Sequence, residues 1–163
     1  MNAQKVTLRR MTAAEYRAAT EHREVESVRE LGKFVSEELA WERVRQGTAQ
    51  FLPDGLDTVG HHLVVAENAS GEAVGNAWIG PDPSRTLGTV NSAWLYDINV
   101  FPAFRRRGYG SAILNAAEQL AAREGSTSLG LNVVGDNEAA IALYRRNGYD
   151  VSSMHMRKGV RQR

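Results

Sequence analysis

Tyr96-Asp97-Ile98-Asn99-Val100-Phe101-Pro102-Ala103-Phe104-Arg105-Arg106-Arg107-Gly108-Tyr109-Gly110 joins two different periods. Its first part ends the longest strand candidate, Ser92 to Val100, in which Trp94, Leu95, Tyr96, Ile98 and Val100 supply aromatic and branched side chains before Pro102 stops the ladder. From Gly108 the spacing becomes helical, with Tyr109, Ile113, Ala117, Leu120 and Ala121 on one face and an end near Glu124-Gly125. A strand, a short loop and a helix opened by glycines aim backbone N–H groups at an anion. At Gly108 and Gly110 the missing Cβ lets the backbone approach oxygen, and the helix terminus adds about half a positive charge. Arg105, Arg106 and Arg107 add donors that match phosphate. Gly108 to Ile113 lacks the third glycine of a dinucleotide fingerprint, and the chain has no Gly-Lys-Ser/Thr for a P-loop. Read alone, these residues fit a diphosphate site or a solvated basic turn.

Upstream, Val6 to Arg10 alternates as a first strand, and Thr12 can cap a helix starting at Ala13. Ala14 to about Gln50 reads as two helices, broken at Pro53-Asp54-Gly55. His62 to Glu67 and Ala73 to Ile79 then form an antiparallel hairpin around Asn68-Ala69-Ser70-Gly71, ended by Gly80-Pro81-Asp82-Pro83. A loop runs to about Thr89. Downstream, Ser128 to Val134 is a strand, Asp136 or Asn137 can cap a helix through Ala140, Ile141, Leu143 and Tyr144, and Gly148 closes it. Tyr149 to Met156 is expected to give one or two last strands, and residues 157–163 a frayed basic tail.

With 163 residues, 42% of them hydrophobic, the expectation is a single domain over residues 1–163. The formal net charge of +1 gives no general attraction to nucleic acid or to an anionic membrane, so any basic site is local. The absence of cysteine excludes disulfides, a thiol nucleophile and a cysteine metal site. His61-His62 does not make a metal site either, because adjacent strand positions face opposite ways; no metal is expected. Met1 to Glu30 lacks the apolar stretch of a signal peptide, and no later run reaches membrane-spanning length, so a cytoplasmic location is expected. The charges of Glu21 to Glu30 read as the solvated face of a helix, and Trp41 and Trp78 as core or as the wall of an acceptor pocket.

The run Tyr96 to Gly110, followed by Asn137 and by Ala140-Ile141-Ala142-Leu143-Tyr144-Arg145-Arg146-Asn147-Gly148-Tyr149, resembles the two defining motifs of the GNAT N-acetyltransferase superfamily. The resemblance covers roughly the C-terminal 70 residues. It implies an α/β fold of the α+β type, with a mixed, mostly antiparallel sheet of about six to seven strands, splayed at the middle and flanked by about four helices. It implies acetyl-CoA as co-substrate. The backbone of Ile98, Asn99 and Val100 would meet the pantetheine arm as an added strand does. Arg105, Arg106, Arg107, Gly108, Tyr109, Gly110 and Ser111 would hold the diphosphate, with Asn137 and Tyr144 near the arm and the sulfur.

Acetyl transfer to an amine needs a neutral nucleophile, stabilisation of an oxyanion and a proton for the leaving thiolate. Tyr144 is the candidate acid, and a backbone N–H near Ile98 or Asn99 the candidate oxyanion donor. Asp97 ranks first as base, ahead of Glu67, His61, His62 and Asn132; by alternation its side chain points away from the face of Tyr96 and Ile98. The expected activity is N-acetylation of a small-molecule or peptide amine, by a monomer or homodimer that binds neither nucleic acid nor membrane. A non-catalytic coenzyme A sensor of the same fold is the alternative.

Overall fold

The computed structural model describes residues 3–84 and 91–162. The second half of the expected loop to Thr89 lies outside them. Two compact units are present, one running to Asn132 and the other starting at Val133. The first holds a five-stranded sheet in chain order: β1 (Thr7–Arg10), β2 (His62–Glu67), β3 (Ala73–Pro81), β4 (Ser92–Val100) and β5 (Ser128–Leu131). All neighbours are antiparallel except β4 and β5, which run parallel.

Helices α1 (Ala13–Leu31) and α2 (Glu37–Phe51) precede β2. Thr12 caps α1 as its sequence implies: its hydroxyl accepts from the Glu15 amide, and the Glu15 carboxylate accepts from the Thr12 amide at 2.9 Å. Arg9 then fastens this helix start to the sheet, donating to both Glu15 oxygens at 2.8 and 2.9 Å and to Glu67 of β2 at 3.0 Å. Met11, Ala19 and Leu52 pack with Leu63, Val65 and Trp78 on one sheet face, joined by Tyr16, Phe51 and Tyr96. Helix α3 (Tyr109–Arg123) packs on β3, β4 and β5 with Ile113, Leu114 and Ala117 wholly buried. Gly75 permits that closeness, since a Cβ there would collide with the Asn99 carbonyl and stand 2.9 Å from Ile113 Cδ1.

The hairpin of β2 and β3 forms as expected, but β3 runs on through Gly80 and Pro81, which pair with Trp94 and Ala93. Proline is tolerated there because it is the terminal residue of the strand. In the second unit, Asn137 caps α4 (Glu138–Arg146), accepting from the Ala140 amide at 3.2 Å, and Gly148 turns the chain with φ +88°. The strands expected over Tyr149 to Met156 do not form among the described residues. Val151, Met154 and Met156 alternate poorly and stand 58%, 69% and 83% exposed, so no buried face fixes a register there. Among the described residues the sheet therefore has five strands, slightly fewer than expected.

Candidate active site

Strand β4 pairs with β5 only along Ser92 to Leu95; beyond it, the described residues place β3 on one side and no strand on the other. The Phe101 amide donates to Val74 of β3 at 2.9 Å. By the period of two, the backbone groups of Ile98 and Val100 face the opposite, open edge, while Asn99 turns its carbonyl toward Gly75. The split expected between β4 and β5 is thus in place, and the open edge offers Ile98 and Val100.

The strand does not alternate throughout. Trp78 pairs with Asp97 but Ile79 pairs with Leu95, so Tyr96 is an extra residue and a β-bulge. A bulge lets two successive side chains share a face. Tyr96 stacks on Trp78 at 4.4 Å and 15°, and Asp97, the ladder partner of Trp78, interacts electrostatically with Arg23 and His22 of α1. The expectation that Asp97 points away from Tyr96 is therefore corrected: both lie on the α1 side, because alternation fails at the bulge. Burial raises the Asp97 carboxyl above its ordinary range, opposed by the fields of Arg23 and His22 and by a hydrogen bond from its neighbour's backbone.

Around this carboxyl stands an aromatic wall. Phe51 lies 5.4 Å from the Tyr96 ring, and Trp78 Nε1 donates to His61 Nδ1 at 2.9 Å. Burial, and then the neighbouring His62, lower the affinity of the His61 imidazole for a proton, and the Nδ1 that accepts from Trp78 is the unprotonated nitrogen of the ring. His62 instead faces Glu124 of α3 at 3.4 Å, so the adjacent histidines serve opposite sheet faces. Arg23 lies 4.6 Å above the Trp78 ring. Its charge belongs to the Glu21 to Glu30 stretch, which reads as solvated; Tyr16, Ala19 and Arg23, spaced three and four apart, are the signal that this arginine sits on the inner stripe. Trp78 is core, 5% exposed, whereas Trp41 lies under Arg45 at the surface of α2.

At the end of β4, a 3₁₀ turn over Pro102–Phe104 swings the chain into the arginines. Arg105 Nε donates to the Val100 carbonyl at 3.0 Å, tying the loop to the strand end. The Phe104 ring meets buried Tyr109 edge-on at 6.0 Å, which fixes the loop on α3. Arg106 has φ +61° and Gly108 φ +84°, and the Ala112 amide donates to the Gly108 carbonyl at 3.3 Å to close the first turn. Arg105, Arg106 and Arg107 are exposed, and among the described residues no carboxylate lies within 4.0 Å of any of them. The seven residues expected to hold a diphosphate are consecutive around one helix start, and among the described residues no carboxylate neutralises the three arginines.

Asn137 and Tyr144 belong to the second unit. Tyr144 lies on α4, its ring edge-on to Tyr149 at 5.9 Å. Among the described residues no group of three or more histidine, aspartate or glutamate side chains is placed to hold a metal.

Residues 19–149 match the acetyltransferase (GNAT) family model. The chain belongs to the GNAT acetyltransferase family. An uncharacterised N-acetyltransferase of Bacillus subtilis, YdgE, is 31% identical over 123 residues, which span 76% of each chain. The crystal structure of the putative acetyltransferase YycN from Bacillus subtilis has a TM-score of 0.86 at 27% identity, covering 97% of this GNAT chain and all of that one. The PaiA N-acetyltransferase of Thermoplasma acidophilum, solved in complex with coenzyme A, shares the fold at a TM-score of 0.64 and 17% identity, over 93% of each chain. The GNAT resemblance of Tyr96 to Gly110 and Asn137 to Tyr149 is thereby borne out, as are the α+β fold and an acetyltransferase activity.

Proposed function

We propose that this protein transfers an acetyl group from acetyl-CoA to a primary amine by direct attack on the thioester. The observation that carries this reading is the run, among the described residues, of an open strand edge at Ile98 and Val100 into a left-handed glycine and three arginines without carboxylate partners. The edge matches the amides of a pantetheine arm, and the helix start a diphosphate. That a protein of this fold was solved with coenzyme A agrees with the assignment. Bound acetyl-CoA supplies an activated acyl carbon and a thiolate leaving group. Arg105, Arg106 and Arg107, with the amides from Gly108 to Ser111, hold the diphosphate, and the outward N–H of Ile98 faces developing oxyanion charge.

Asp97 accepts the proton that the amine must lose, directly or through water, as the nitrogen–carbon bond forms. Tyr144 gives its phenolic proton to the sulfur as the carbon–sulfur bond breaks, and Asn137 orders the approach of the arm. A phenol near pKa 10 serving a thiolate near 8.5 moves a proton uphill by about 1.5 units, or about 2 kcal/mol, which is small beside a catalytic barrier.

Release of free thiol from acetyl-CoA across a panel of amines tests the reading. Tyr144→Phe should lower kcat about 100-fold with little change in the KM for acetyl-CoA. An unchanged kcat would remove Tyr144 from the acid role. Tight acetyl-CoA binding with no amine-dependent thiol would overturn transfer to amines and leave the non-catalytic alternative.

A further inference from the structure

On the face of β3 and β4 toward α1, Trp78 has Arg23 over its ring and Asp97 as its cross-strand neighbour. Asp97 is the cross-strand partner of Trp78, which places their Cβ atoms about 5 Å apart. Arg23 reaches the same ring from α1, its guanidinium carbon 4.6 Å from the centroid. Arg23 is half-buried, and among the described residues no carboxylate lies within 4.0 Å of it. Its one hydrogen bond there goes to Thr20 Oγ1 at a long 3.4 Å. The neighbouring Glu24 is engaged with Thr48 Oγ1 at 3.2 Å, and His61 with the Trp78 indole. A guanidinium carries five donors, so most of the capacity of Arg23 is unspent beside an aromatic wall. A planar carboxylate is the group whose geometry uses that fork on two parallel bonds.

We propose that the amine acceptor is an amino acid, its carboxylate held by Arg23 and its amine presented to Asp97 across the Trp78 and Tyr96 rings. The inference rests on the reading of this protein as an amine acetyltransferase with Asp97 at the acceptor nitrogen. It selects against polyamines and other carboxylate-free cations, which would bring a positive group toward Arg23 with nothing to pair it. The step balances as before: the amino nitrogen bonds to the acyl carbon and yields a proton to Asp97, while the thiolate leaves with the proton of Tyr144.

The experiment measures acetyl-CoA turnover on matched pairs, each an amino acid and the amine left by removing its carboxylate: lysine and cadaverine, tyrosine and tyramine, leucine and isopentylamine. For at least one pair the amino acid should have a kcat/KM higher by about tenfold or more, the size of one charge-assisted bidentate contact. Arg23→Gln, compared with the wild type on the high-pH plateau of each profile, should erase that preference by raising the KM for the amino acid well beyond any change for the matched amine, with the KM for acetyl-CoA within about threefold. Arg23→Lys should restore part of it, since charge remains and the fork does not. Equal or better turnover of the amine in every pair would overturn the proposal, as would an Arg23→Gln loss that is equal for both members. The wild-type pairs decide the question even where a variant fails to fold. Turnover of amines without carboxylate preference defeats this inference alone, whereas absence of thiol release with every acceptor defeats the transferase reading beneath it.

Discussion

Burial holds the Asp97 carboxyl above its ordinary range while Arg23 and His22 pull it down, so its ionisation is set by three side chains on one sheet face. A carboxylate must be ionised to accept a proton. The pH profile of kcat/KM is therefore expected to rise with pH through an inflection above the usual carboxylate range and then to level off. Asp97→Asn should abolish that limb, and Arg23→Gln should move it to higher pH, because the field that favours the ionised form is removed. A profile that keeps its limb in Asp97→Asn assigns the proton to water or another group. The identity of this carboxyl was readable in the sequence, but its side of the sheet was not, since strict alternation carries no sign of an extra residue. Arg23 was hidden for a related reason: in a run of charges, one residue aimed inward differs from its neighbours only by its phase on the helix.

At the scale of elements, the cradle depends on a backbone state that side chains resist. Gly108 has φ +84°, and a Cβ there would stand 3.7 Å from Gln4 Cγ, an ordinary contact, so Gly108→Ala meets strain rather than collision, about 1–2 kcal/mol. The expected outcome is a KM for acetyl-CoA raised several-fold at nearly unchanged kcat, read by steady-state kinetics, with a modest fall in melting temperature. The limits of β4, the capping box at Thr12 and Glu15, the cap at Asn137 and the helix opened by Gly108 were all legible, because each is a local pairing of residue type with backbone shape. Tyr149 to Met156 was misread for the converse reason. Its apolar residues suit a strand, but a strand exists only through a partner, and the sequence of one segment does not specify that partner.

At the scale of the molecule, a net charge of +1 leaves electrostatics to local clusters, and the cluster that secures α1 to the sheet is Arg9, Glu15 and Glu67. Hydrogen bonds from Arg9, then from the Thr12 backbone, lower the Glu15 carboxyl from 4.5 to about 2. Because the folded value lies below the unfolded one, Glu15 contributes stability above about pH 4.5 that is lost as pH falls toward 2. Urea unfolding at pH 7 and pH 3 should thus differ less in Glu15→Gln than in the wild type; an equal difference would place the acid sensitivity elsewhere. The bulge at Tyr96 sets a further rule, one of parity. Odd-numbered residues of β4 face α3 before it and even-numbered ones after it, so the strand changes parity once along its length. Deleting Tyr96 would leave Leu95 and Asp97 opposite the same β3 partners, whereas a second residue inserted at that point would keep Asp97 and Ile98 on their faces but slide the following segment two positions along β3. The chain can lose a residue there more safely than it can gain one.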